Sequence, residues 1–236
     1  MGIIEYYQDV FNEYTLYQPV IEAFFLKNYT LKQLYAPGEM LTRKWGAAGK
    51  SAVSYVAAGN FKQYLRFPSG KSRFVGFIPT HSVLFDSHAG AVKLGKHLTV
   101  NAPVTLYTTS TSVYMQFLRD AGDEIMQHQL SEAYFRRNMN IFPQLMTAEA
   151  DSYAKVAALL LYAALRIGEP HTENSCSRFM AGSLSAGDIA SYYSMHPNTA
   201  SRCMRILEEK QLILRKPSAL IVPDIHALDR EIDLPK

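Results

Sequence analysis

The sequence predicts an α+β chain: an N-terminal antiparallel β-roll of the double-stranded β-helix or jelly-roll type, a long helix, and a C-terminal pair of short helices closed by a β-hairpin. Three observations predict it. Between Tyr29 and about Val113, short β-rich runs alternate with turn signals at Ala36-Pro-Gly-Glu39, Ala58-Gly-Asn60, Pro68-Ser-Gly-Lys71, His88-Ala-Gly90 and Asn101-Ala-Pro103. From about Gln116 to Ile167 the apolar spacing becomes helical. After Leu184, a cap, a turn, a second cap with proline and two apolar runs succeed one another at the spacing of helix, turn, helix and hairpin.

Taken in order, Glu5 to Lys27 carries Tyr, Phe, Val, Ile and Leu at helical intervals broken near Pro19, which predicts short helices. In the β-rich region Val75-Gly-Phe-Ile78 and Val104-Thr-Leu-Tyr-Thr108 are typical strands, and the even spacing of the turns suits a barrel or roll. The long helix is expected over Asp123–Phe142, with Met126, Leu130, Ala133, Arg137 and Ile141 on one stripe. Its other faces are polar, so the stripe suits a single contact, a second copy of the helix. Pro143 ends or kinks it. A further helix, about Ala150–Arg166, is apolar nearly all round and predicts core; Gly168–Gly182 reads as a loop with a short strand near Phe179. The resulting units are 1–118, 119–145 and 146–236.

The C-terminal unit is the most explicit. Ser185 and Asp188 form a capping box, in which the hydroxyl takes an orphan amide and the carboxylate reaches back to the cap. Ile189, Ala190 and Tyr193 give the first helix an inward face, and Ser194-Met195 makes the turn. His196 caps the second helix. Pro197 fits its first position, where the missing N–H would be an orphan anyway. Ala200, Cys203, Met204 and Leu207 recur at helical spacing, so Asn198, Thr199, Ser201, Arg202 and Arg205 face outward, residue types that reach base edges and phosphates from a helix in a major groove. Leu212–Val222 places two apolar runs around Lys216-Pro-Ser-Ala219, a hairpin that completes a winged helix-turn-helix. From Arg178 to Lys216 six Lys and Arg stand against three acids, a local excess suited to phosphate.

Composition narrows the remaining classes. Of 236 residues, 48% are hydrophobic and 19% charged, an ordinary globular balance that excludes disorder, and the net charge of +3 is too small to argue for nucleic acid by itself. Two cysteines, Cys176 and Cys203, build neither a disulfide framework nor a four-cysteine cluster. Cys203 falls on the buried stripe and Cys176 in a polar loop. No basic start followed by an apolar core marks a leader. Val156–Leu165, the most apolar run, is far short of the roughly 20 residues of a membrane span. The expectation is a cytoplasmic protein without membrane, metal or cofactor. The seven histidines are scattered, with no His-x-His pair for a cupin-type metal site, so catalysis is not expected.

The succession of roll, long helix and winged helix-turn-helix resembles the catabolite-activator type of bacterial transcription regulators, the Crp/Fnr family. The resemblance is specific over Leu184–Val222 and architectural at Ala36-Pro-Gly-Glu39 and Tyr55-Val-Ala-Ala-Gly-Asn60. Asn28-Tyr-Thr30 and His81-Ser-Val-Leu-Phe-Asp86 are similar to the family's halophenol-responsive members. It implies a homodimer on a two-fold symmetric operator in double-stranded DNA, RNA polymerase as a partner and a small-molecule effector. Arg202 would contact a guanine, Asn198 and Ser201 tune neighbouring bases, and His196, Thr199, Arg205, Arg215 and Lys216 hold phosphate.

Cyclic-nucleotide members of the family carry a Gly-Glu pair and then Arg followed by Ser or Thr. Here Asp86 stands near the Glu position and no Arg-Ser pair follows, so no guanidinium takes a phosphate bidentately and cyclic AMP is not expected. With no cysteine before Cys176, an N-terminal iron–sulfur cluster is not expected either. His81, His88, His97 and His128 each leave a haem-based gas sensor open. The preferred alternative is a small, aromatic effector between roll and long helix, near Phe74, Phe85, Asp86 and Tyr134. The family's phenolate-binding Tyr and Lys positions fall on His128 and Ser131. A ligand-independent member that acts by abundance is the other reading.

Overall fold

The computed structural model describes residues 4–5, 7, 18–41, 51–85, 95–171 and 176–232. Helix α1 (Gln18–Asn28) leads into strands β1 (Leu31–Tyr35), β2 (Met40–Leu41), β3 (Ala52–Arg66), β4 (Ser72–Ile78), β5 (Val83–Phe85) and β6 (Gly95–Ser110). The strands pair antiparallel in the order β1-β6-β3-β4, with β2 on β6 and β5 on β3. β3 and β6 run together from Ala52 opposite Ser110 to Arg66 opposite Gly95.

Two of the expected turns are not turns. Ala58-Gly-Asn60 and Asn101-Ala-Pro103 lie within β3 and β6, opposite one another, where the register shifts. Gly59 has φ +77, and a side chain there would strike the Pro103 carbonyl, so glycine permits the two backbones to meet. Such bulges bend both strands at one place. The sheet thereby curls around an apolar core that includes Leu41, Val56, Phe61, Ile78, Leu98 and Leu106. The turns at Pro37-Gly38 and Pro68-Ser69 form as expected, whereas His88-Ala-Gly90 lies outside the described residues.

Helix begins earlier than its pattern suggests, at α2 (Thr111–Ala121), because the Ser110 hydroxyl accepts the Val113 amide at 3.3 Å as an N-cap. Tyr114 and Leu118 of α2 pack with Phe24, Phe25 and Tyr55. After Gly122 (φ +99) comes α3 (Asp123–Met139), tied to α2 by the Tyr114 hydroxyl donating to Gln129 Oε1 at 2.8 Å. The long helix stops at Met139, three residues before the expected Phe142. Pro143 sits in the first turn of the next helix, α4 (Phe142–Met146).

Helix α5 (Ser152–Ile167), capped by Asp151, buries ten residues and is the core of the C-terminal half. The span expected to be mostly loop contains two short strands, β7 (Glu169–Pro170) and β8 (Arg178–Ala181). They form a four-stranded sheet, β7-β8-β10-β9, with β9 (Leu214–Lys216) and β10 (Ala219–Val222). Between them come α6 (Ala186–Tyr193) and α7 (Pro197–Glu209), and α8 (Ile225–Asp229) follows, capped by Asp224. Among the described residues no helix is long and apolar enough to cross a membrane.

Candidate nucleic-acid interface

The helix pair is built from its caps. Ser185 Oγ accepts the Asp188 amide and Asp188 Oδ2 accepts the Ser185 amide, both at 3.0 Å, which starts α6. Ser194 ends it in the left-handed region (φ 56). His196 Nδ1 accepts the Asn198 amide at 3.2 Å, and Pro197 occupies the first turn of α7. Ala200, Cys203, Met204 and Leu207 are buried in one cluster with Ile189, Ala190 and α5. Burial chiefly pushes the Cys203 thiol up, as befits a small core residue. The expected inward face of α6 needs one amendment: Tyr192 is fully buried and Tyr193 only partly.

On the opposite side of α7, Asn198, Ser201, Arg202 and Arg205 are exposed, with Thr199 half-buried beside them. They recur every three to four residues and so share one stripe. Among the described residues no carboxylate pairs with Arg202. Arg205 stands 3.5 Å from Glu209. Arg215 of the wing donates through Nε to Glu208 at 2.9 Å, and this bond is the main reason the Glu208 carboxyl is held below its ordinary range. The wing's cation is thereby tied to the last turn of α7. Lys216 and His196 are exposed.

Residues 154–231 match the Crp-like helix-turn-helix domain. Solved structures extend the likeness over most of the chain. FixK2 from Bradyrhizobium japonicum is 15% identical, with 87% of this chain and 98% of that one covered and a TM-score of 0.65. TTHB099, a transcriptional regulator of the CRP family from Thermus thermophilus, is 13% identical over 85% and 96%, with a TM-score of 0.59. CprK complexed with OCPA is 14% identical over 89% and 92%, with a TM-score of 0.56. At these identities the likeness is one of fold: an antiparallel-sheet N-terminal domain followed by the Crp-like domain. Comparison with curated protein sequences gives no match.

Five of the six effector candidates fall within the described residues, on three elements: β4, β5 and α3. Phe74 on β4 is fully buried between the roll and the Crp-like domain, its ring 6.0 Å from Tyr192 and 5.7 Å from Tyr64. Phe85 is exposed at the end of β5, 5.8 Å from Tyr114. His128 is half-buried on α3, Ser131 is exposed, and Tyr134 is 72% exposed; Asp86 lies outside the described residues. Of the histidines considered for haem, His81 meets the Tyr55 hydroxyl at 2.6 Å and His97 stacks on Tyr64 at 5.1 Å, while His88 lies outside the described residues. Among the described residues no group of three or more His, Cys, Asp or Glu is placed to hold a metal.

Sequence reasoning missed the second face of α6, which the roll grips along its length. Lys62 Nζ stands 2.8 Å from Asp188 Oδ2, and the Tyr64 hydroxyl donates to Oδ1 at 2.7 Å. Burial pushes the Asp188 carboxyl up, but the Lys62 ammonium with the Tyr64 and Ser185 bonds outweighs it and holds the group below its ordinary value. In the last turn, the Phe74 amide donates to Ser191 Oγ at 3.0 Å. At the far end, Arg73 and Gln144 both donate to the Tyr192 carbonyl, at 2.7 and 2.6 Å, satisfying an orphan of the last turn with a cation. Asn140, between α3 and α4, accepts the Tyr162 hydroxyl on its side chain and the Tyr192 hydroxyl on its carbonyl. The available signal was the alternation Lys62-Gln-Tyr64, a polar face of β3 that reads in sequence as solvent-facing.

Proposed function

We propose that this protein is a sequence-specific, DNA-binding transcription regulator that acts in the cytoplasm as a homodimer and engages RNA polymerase. The observation that carries the reading is the exposed stripe of α7, a helix whose opposite face is wholly buried in a Crp-like domain. Arg202 reads a guanine, Asn198 and Ser201 adjust neighbouring bases, and Thr199, His196, Arg205, Arg215 and Lys216 hold backbone phosphate. The dimer forms through α3, where Leu130 and Tyr134 are 67% and 72% exposed, with Ile141 exposed just past its end. Two α7 helices held about one helical turn of DNA apart then meet a two-fold symmetric operator.

The regulator is gated by a small, aromatic effector other than cyclic AMP. The dispersal of Phe74, Phe85, His128, Ser131 and Tyr134 favours a second reading, a ligand-independent regulator set by its abundance. Binding of the purified protein to its own upstream DNA, with and without a panel of phenols and other small aromatics, decides between them. Specific binding that requires one compound supports gating, and equal specific binding throughout supports the ligand-independent form.

A further inference from the structure

We propose that the β3–β4 hairpin and α6 form a clamp that holds the Crp-like domain rigidly against the roll and presents α7 to DNA in one orientation. This rests on the DNA-binding reading above. Three points of attachment, Asp188 in its first turn and Ser191 and Tyr192 in its last, fix both ends of a helix of only eight residues on the sheet. The attachment at Asp188 is dry: the side chains of Lys62 and Asp188 are each 10% exposed. Tyr64, which supplies the second bond, is itself held between the Phe74 and His97 rings. A fourth contact lies beside them, where Asn101 donates to the Ala181 carbonyl and accepts the Ser183 amide, with Gly182 (φ +91) leaving room for it.

The clamped state leaves the reading stripe uncovered. The hairpin tip does not close on α7; an open groove of about 880 Å³, walled by Lys71, Ser72, Gly187, Ser194 and Pro197 among others, separates them. The clamp therefore fixes an orientation in which Asn198, Ser201, Arg202 and Arg205 all face solvent. In a dimer this matters to the operator and not to DNA in general. Two half-sites are engaged together only when both reading helices are held at a set spacing, and affinity falls in proportion to the fraction of molecules so arranged. A domain swinging on its tether still makes phosphate contacts.

Lys62→Met removes the ammonium from the roll side and leaves the sequence of α6 and every DNA-facing residue unchanged, while Asp188 keeps its Tyr64 and Ser185 bonds. Two quantities are measured on the full chain: hydrogen exchange of the Phe74 amide, whose partner is Ser191 across the clamp, and affinity for operator and for random DNA of equal length. The expected result is exchange at Phe74 at least about tenfold faster with α5 unchanged, operator affinity down about fivefold or more, and random-DNA affinity unchanged. Lys62→Arg should restore all three, and Tyr64→Phe, a milder change, should move them in the same direction if Lys62→Met does not fold. Unchanged exchange at Phe74, or faster exchange with undiminished operator affinity, overturns the proposal. Equal loss on both DNAs also overturns it. Failure of the DNA-binding reading shows separately, as a wild-type protein that does not prefer its operator.

Discussion

Helices α6 and α7 lie side by side and dispose of their charged groups in opposite ways. On α6, Asp188 is buried, bonded to Lys62, Tyr64 and Ser185, and faces protein. On α7, Arg205 and Glu209 pair at 3.5 Å with both side chains about two-thirds exposed. Removing one partner of a buried pair strands the other charge away from water and costs about 3–5 kcal/mol, whereas exposed pairs contribute about 0–1 kcal/mol. One helix thus uses its charge in packing against the roll, and the other keeps its charges exposed to solvent. A helix-turn-helix needs both, because base reading depends on how firmly the reading helix is aimed.

The comparison can be broken most forcefully at Asp188. Asp188→Ala removes the cap and leaves Lys62 unpaired, and should lower stability by about 3–5 kcal/mol in urea unfolding; a loss under 1 kcal/mol would make the pair no different from those on α7. The pH dependence sharpens this. The Asp188 carboxyl is held below its ordinary value of 3.8, so its contribution is complete above that pH and is lost as pH falls through the depressed folded value. The stability gap between wild type and Asp188→Asn should therefore be constant near neutrality and narrow only below about pH 4.

On α7 the expected effects concern DNA. Arg202→Ala should cost about 1–3 kcal/mol at the operator and relax one base position, with little change in unfolding. Equal loss on random DNA would assign Arg202 to phosphate instead. The smallest effect belongs to the wing: Glu208→Gln, which releases Arg215, should change stability by less than about 1 kcal/mol. A larger loss by thermal unfolding would show that the wing depends on this pair for its position.

The two helices also differ in how far they could be foreseen. The caps of both helices, the turn and the core stripe of α7 were legible because Ser185, Asp188 and His196 make local bonds and Pro197 restricts its own backbone, all encoded in sequence spacing. The placement of Tyr192 was not. Its burial comes from Phe74 on β4 and from Asn140, residues 118 and 52 positions away in the chain, which no local period reports. Asp188 read correctly as a cap and incompletely as only that. In the roll, Ala58-Gly-Asn60 and Asn101-Ala-Pro103 carry turn chemistry yet serve a bend in two paired strands, a distinction made by the partner strand rather than by composition. Phe74 illustrates why aromatic content alone does not mark a pocket: its ring fills the seam between the roll and the Crp-like domain.

The most direct test of the whole account is a competition measurement at physiological salt between the protein's own upstream DNA and random duplex, made with wild type and with Arg202→Ala, in the absence and presence of the aromatic panel. The account predicts wild-type binding at least about 10³-fold tighter to the upstream site under one of these conditions, with the preference reduced in the variant. Wild-type protein that binds both DNAs alike under every condition, with Arg202→Ala indistinguishable from it, would contradict the assignment of α7 as a reading helix.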